Sequence, residues 1–242
     1  MIEKLVDTHF HLDYYKNHSE LYQTINTLQQ YTLCMTNSPG VFVSCKHLYA
    51  ETKYLKFALG FHPQNQSLSS KDFNDFLMLL NQTKYVGEIG LDFSSTKFIK
   101  HELQIKYFEK IIEICSAEDK LISVHLRKAE SEAIRIIQNY QPRKCIIHWF
   151  SGSVSQLEEL VSLGCYFSIN SNMVQNTKNH EKFLKIPLDK VLVESDGPFT
   201  KILSRKYTPD QLINVYQVIG SHFGIPEFIN QVYKNFHKLL SQ

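Results

Sequence analysis

No stretch of the 242 residues approaches the roughly 20 consecutive apolar positions that a bilayer crossing needs. The opening MIEKLVDTHF also lacks the charged start and long apolar run of a secretory signal. No membrane association is expected, and a cytoplasmic location is. The chain has no C-x-x-C pair, and its five cysteines, Cys34, Cys45, Cys115, Cys145 and Cys165, are odd in number and sit mostly within apolar stretches. A disulfide framework or a zinc ribbon does not fit that pattern, whereas reduced, buried thiols do. An excess of one charge is missing too: 26 Lys and Arg against 24 Asp and Glu leave a net +2. There is no broad electrostatic footprint for nucleic acid, so any polyanion has to be held by a local site. Linkers, low-complexity segments and internal repeats are likewise absent.

What remains is ordinary globular usage, 43% hydrophobic and 21% charged, in a chain long enough to bury a substantial core. Length alone allows one large domain or two small ones. Periodicity narrows this, because short β-rich runs alternate with amphipathic stretches throughout. The eight strand candidates are KLVDTHF, YTLCMT, KFALGF, YVGEIGL, LISVHL, KCIIHWF, CYFSIN and VLVES. Helical patterns such as SELYQTINTLQQ, KHELQIKYFEKIIEICSAED, AESEAIRIIQNYQ and SVSQLEELVSLG lie between them, the last with Ser153 as N-cap and Gly164 just past its end. Another helix is expected from about Thr208 to Phe223, with Pro209 in its first turn, and PEFINQVYKNFHKLL reads as one more. Eight strand-helix units predict an α/β protein with a (β/α)8 TIM barrel in a single domain, 1–242, carrying an extra C-terminal helix. A doubly wound open sheet is the alternative.

A barrel gathers its chemistry at the C-terminal ends of its strands, so what each strand ends with is informative. Strand one carries Asp7, His9 and His11 at alternate positions, which point the same way. Strand three runs into His62, strand four carries Glu88 and reaches Asp92, and strand five ends in His125 and Arg127. Strand six ends in His148 and strand eight in Glu194 and Asp196. Any one of these is equally a polar rim residue, and ESDGP alone would be a turn. Their collection at one end of six of the eight strands has no structural reason. Imidazoles and carboxylates together suit zinc, manganese or iron, and a carboxylate-rich mixture also holds magnesium. Four histidines and two carboxylates exceed what one four-coordinate ion needs.

VDTHFHLD, GFHP, VGEIGLD, VHLR, IIHWFSGS and VLVESDGPF, in this order over nearly the whole chain, resemble the TatD family of metal-dependent deoxyribonucleases in the amidohydrolase superfamily. The resemblance implies the same (β/α)8 barrel and two divalent ions, Zn2+, Mg2+ or Mn2+. It makes His9 and His11 ligands of one ion, Glu88 a bridging carboxylate, and His125 and His148 ligands of the other. Asp196 becomes a ligand that also handles the proton of the attacking water. His62 and Arg127 match positions near the substrate phosphate, with Ser151 also expected at the substrate. Asp7 and Glu194 stand behind the ligands, Asp7 orienting its neighbouring histidine. Trp149 or Phe150 stacks on a terminal base or packs in the core, and Arg205 in SRKY tracks a DNA backbone or is a solvated surface charge.

The sequence departs from the family's pattern after GLD, where FSS replaces the usual aromatic-basic pair, and in HLRKA, where Lys128 stands in place of aspartate. The segment after Pro198 is abbreviated, its basic content reduced to KILSRKY. These are groove positions, so substrate preference is the open quantity. Compact chains of this kind resemble TatD-like nucleases of anti-phage defence systems, which implies partner proteins of a defence operon. The expected activity is hydrolysis of DNA, single-stranded or at a 3′ end, as a 3′–5′ exonuclease. Two alternatives stand beside it: a small-molecule amidohydrolase, such as a lactonase or deacylase, on the same metal centre, and an inactive scaffold subunit. Many of those amidohydrolases bridge their metals with a modified lysine on strand four, and Glu88 stands there instead.

Overall fold

The computed structural model describes residues 4–175 and 180–242. In chain order the strands are β1 (Val6–Phe10), β2 (Tyr31–Cys34), β3 (Leu55–Phe57), β4 (Leu59–Phe61), β5 (Tyr85–Asp92) and β6 (Leu121–Arg127). They continue as β7 (Cys145–His148), β8 (Tyr166–Ile169), β9 (Val191–Val193), β10 (Lys201–Ile202) and β11 (Arg205–Lys206). The helices are α1 (His18–Thr27), α2 (Pro39–Leu48), α3 (Ser70–Leu79), α4 (His101–Ala117) and α5 (Glu130–Tyr140). They are followed by α6 (Val154–Ser162), α7 (Ser171–Gln175), α8 (His180–Phe183), α9 (Leu212–Phe223) and α10 (Phe228–Ser241).

The expected elements form, several with shorter ends, whereas β5 and β6 each run one residue past the expected end. The run KFALGF, expected as one strand, is two: Thr36 Oγ1 donates to the Ala58 carbonyl at 2.8 Å and accepts from the Gly60 N–H at 3.1 Å. Those bonds take backbone groups that an unbroken strand would offer to a ladder. Ser153 caps α6 in a reciprocal capping box with Gln156, and Gly164 beyond its end has φ +87°. The helix opened by Pro209 begins as one tight turn, Pro209–Gln211, before α9. KILSRKY forms a small antiparallel hairpin, β10 with β11, turned by Leu203 and Ser204 at φ 49° and 63°. All five cysteines are buried and free.

The chain divides into two compact units. One comprises residues up to Cys34, Glu51–Lys56 and Phe167–Gln242. In it β1 runs parallel to β2, with Asp7 opposite Thr32, and β8 runs parallel to β9, with Ser168 opposite Leu192. β1 also lies along β9, since Thr8 Oγ1 donates to the Val193 carbonyl at 3.1 Å. The start of β1 is fixed to α9 by Tyr216, whose hydroxyl donates to the Val6 carbonyl at 2.9 Å and accepts from the Val6 N–H at 3.0 Å. On α10, the Asn235 amide donates to the carbonyls of Leu188 and Val191, both at 2.7 Å, which holds the entry to β9.

The other unit comprises Met35–Ala50 and Phe57–Tyr166. Here β4, β5, β6 and β7 pair in parallel in that order, with Gly90 opposite His125 and His125 opposite His148. Every position of β5 after Tyr85 is buried, as a parallel strand covered on both faces requires. Gly90 has φ +147°, and a Cβ there would sit 2.0 Å from the His125 carbonyl oxygen. Only glycine lets β5 run that close to β6.

Candidate metal centres

In the first unit, β1 delivers Asp7, His9 and His11, all buried although polar. Buried polar side chains cost free energy unless partnered, so a strand and its end carrying three of them have been built around a ligand or a network. Nε2 of His9 and Nε2 of His11 face each other at 3.1 Å. Oδ1 of Asp196 lies 3.8 Å from the first and 3.6 Å from the second. Two imidazole nitrogens and a carboxylate oxygen converging within 4.8 Å form a donor set for a divalent ion.

The backbone explains how Asp196 arrives there. Its N–H donates to the His9 carbonyl and the His11 N–H donates to the Gly197 carbonyl, both at 2.9 Å. These bonds lace the segment after β9 to β1, and Asp196 takes a left-handed conformation, φ 47°, which aspartate adopts more readily than most residues. Gly197 is obligatory, because a Cβ would meet the Tyr207 ring at 2.4 Å and the Tyr15 hydroxyl at 2.7 Å.

Asp7 and Glu194 sit behind this group. Oδ1 of Asp7 accepts from the Ser195 N–H at 2.8 Å and the His9 N–H at 3.3 Å, and Oδ2 accepts from the Tyr207 hydroxyl at 3.3 Å. Asp7 therefore holds the backbone on either side of the donor group. Burial pushes its carboxyl up to about 7, against the hydrogen bonds from Ser195 and His9. Glu194 is directed toward β8, where the Ser168 hydroxyl and the Asn170 amide donate to it, the latter at 2.9 Å. Arg205 is exposed on the hairpin.

In the second unit, Glu88 is the hub. Its Oε1 lies 2.9 Å from Nε2 of His62, 2.9 Å from Nδ1 of His125 and 3.6 Å from Nε2 of His148. His62 Nδ1 accepts from the Gln64 N–H at 3.1 Å, so its proton is on Nε2 and is donated to Glu88. That tautomer makes His62 a hydrogen-bond donor to the Glu88 carboxylate. The other face of His125 meets Asp92, Nε2 to Oδ2 at 3.0 Å. Carboxylates stand at both nitrogens: burial opposes a charge on the ring, but Asp92 and Glu88 outweigh it and push the pKa up to about 9, so taking an ion here means giving up one of the two ring protons.

Asp92 was legible as a strand end and not as a functional group, and its role here is a finding. Burial raises its carboxyl, but hydrogen bonds from His125, Ser94 and Gln64 win and hold it well below the usual range. It is a carboxylate that orients the His125 ring, fixing Nε2 and leaving Nδ1 to the Glu88 side.

The remaining expected residues are more peripheral. Arg127 is exposed at the end of β6, and Trp149 is half-buried at φ 39°, its ring edge-on to His148 at 6.3 Å. Phe150 is buried, which resolves its alternatives in favour of core packing. The Ser151 hydroxyl points to Glu130 at 3.5 Å.

Against known proteins, the family described as TatD related DNase matches residues 6–241. The uncharacterized metal-dependent hydrolase YcfH of Escherichia coli K12 is 28% identical over 256 residues, covering 97% of this chain and 95% of that protein. The deoxyribonuclease Tat-D of Schizosaccharomyces pombe is 29% identical over 119 residues, 48% of this chain and 38% of that protein. Among solved structures, the TatD homologue YJJV of Escherichia coli K12 superimposes with a TM-score of 0.87 at 23% identity, covering 99% of this chain and 98% of that one. The fold is thus the (β/α)8 barrel class expected from the eight strand-helix units. Among the described residues no helix is long and apolar enough to cross a membrane.

Proposed function

The chain belongs to the TatD family of metal-dependent hydrolases, and on that premise we propose that it hydrolyses DNA phosphodiester bonds, removing nucleotides from the 3′ end of a single strand. The observation that carries this reading is the convergence of the buried donors His9, His11 and Asp196. The Glu88 group in the other unit is a second set of the same chemistry. Each set is read as holding one divalent ion, in the first His9, His11 and Asp196, in the second Glu88, His125 and His148.

Bound divalent ions lower the pKa of water toward neutrality and neutralise charge developing on phosphate oxygens. The side chains supply the rest. Asp196 accepts the proton of the attacking water, and its fixed backbone spares the cost of orienting it. In the other unit, His62 presents the Nε2 proton to an oxyanion, and Arg127 at the exposed end of β6 offers a bidentate contact to a phosphate oxygen.

The test is release of mononucleotides from 3′-labelled single-stranded DNA by the parent and by Asp196→Asn. The reading predicts release by the parent that chelation stops and metal restores, with a loss of at least a hundredfold in the variant. Turnover of lactones without any cleavage of DNA would replace this reading with the amidohydrolase one.

A further inference from the structure

Of the 16 phenylalanines, 13 tyrosines and one tryptophan, two are exposed: Tyr14 at 46% and Phe199 at 51%. They are 185 positions apart in the chain, yet they touch each other, with ring centroids 5.1 Å apart and planes at 67°. Both rings also touch His11, Tyr14 at 5.5 Å and Phe199 at 5.4 Å. Folding alone gives no reason for this, since an aromatic ring left in water forgoes the burial that stabilises the others in whole or in part. The exposed pair stands at the edge of the His9, His11 and Asp196 group and nowhere else.

Its setting is cationic. Phe199 is followed at once by the hairpin whose Lys201, Arg205 and Lys206 are exposed, and Lys206 Nζ lies over the Tyr15 ring, 4.6 Å from its centroid. An aromatic surface beside a donor group for divalent ions, with a cationic hairpin next to it, matches a ligand that has a flat ring and a phosphate a few ångströms apart. A nucleotide in a single strand is such a ligand, because its base is unstacked and its phosphate adjacent. A duplex end is a poorer one, since its bases are already stacked on one another.

We propose that Tyr14 and Phe199 form the stacking platform for the base of the nucleotide next to the bond that is cut. This rests on the DNA-hydrolase reading above and adds to it the residues that recognise the unpaired base. Stacking is indifferent to base identity, so the platform confers strandedness and not sequence preference.

The test separates the two levels by measuring binding in chelator as well as cleavage with metal. A labelled single-stranded oligomer is compared with one whose two 3′-terminal nucleotides are abasic, and with a control abasic at its 5′ end. The parent is expected to bind the intact and 5′-abasic oligomers about tenfold more tightly than the 3′-abasic one, the fold-change that ~1.4 kcal/mol of stacking gives. Tyr14→Ala and Phe199→Ala are expected to lose that difference and to raise KM more than they lower kcat. Tyr14→Phe and Phe199→Tyr, which keep the rings, are expected to retain it. Both positions are exposed, so none of these changes threatens the fold. Parent protein that cleaves DNA but ignores the missing bases, or Ala variants that still discriminate, overturn the platform and leave the nuclease standing. Discrimination in binding without any cleavage removes the nuclease reading and leaves a base-binding surface. A parent that neither binds nor cleaves the oligomers overturns both.

Discussion

Nε2 of His9 and Nε2 of His11 lie 3.1 Å apart on two buried rings two positions apart in the chain, one on β1 and one just past its end. Two imidazoles in that relation share a single proton or present two lone pairs to one cation, and Asp196 closes the third side. Chelator-treated protein should therefore take up manganese or zinc again, two equivalents in the parent and one in His9→Ala or His11→Ala, by elemental mass spectrometry after dialysis. A histidine variant that keeps both equivalents would show that the pair is a structural hydrogen bond.

Asp92 holds Nε2 of His125 at 3.0 Å and is itself held by Gln64 and Ser94. Asp92→Asn keeps the shape and removes the charge that fixes the ring. Carboxylates behind ligating histidines are commonly worth about 10- to 100-fold in affinity or rate. A decrease of that size in metal affinity is expected by competition with a coloured chelator, with circular dichroism unchanged. An unchanged affinity would assign Asp92 to folding alone.

The hairpin β10–β11 puts Arg205 in solvent. If it contacts backbone phosphate, Arg205→Ala weakens binding of every oligomer alike. The logarithmic dependence of affinity on salt should become shallower by about 0.7 for one contact to a single strand. Equal slopes for variant and parent would return Arg205 to the surface.

All five cysteines are buried, and burial pushes the Cys115 thiol up to about 12. Its neutral form is favoured in the fold, so the stability it contributes is fully present below the ordinary thiol value near 9. That contribution is lost as the pH rises toward 12. At pH 8 a thiol reagent should find no fast-reacting cysteine in native protein and five in urea. Rapid labelling of Cys115 at pH 8 would contradict its burial.

Much of this fold is local information. The Ser153 cap, Gly164 beyond the helix end and Pro209 in a first turn are signals read within one turn of chain, and each is realised. Alternation in VDTHFHLD identified the donors because a strand's period is two. Long-range matters were less legible. The break at Ala58 depends on Thr36, some twenty residues away, and nothing in KFALGF announces it. Asp92 matters because it reaches the His125 side chain on the neighbouring strand, a contact that periodicity does not supply. Helix α2 carries a valine-rich, glycine-containing sequence with weak propensity, and its usable signal is Ser38 before Pro39, an N-cap and first-turn pair. Exposure is a property of the whole chain, which is why Phe150 turned out buried and Tyr14 and Phe199 open.

The most direct test of the central claim is the Glu88→Gln variant. It preserves size and hydrogen-bonding shape at the atom that lies 2.9 Å from both His62 and His125, and it removes the charge. Purified parent, analysed for bound metal, should release mononucleotides from end-labelled single-stranded DNA, and Glu88→Gln should fold, bind less metal and release none. Full activity in Glu88→Gln would contradict the account at its root.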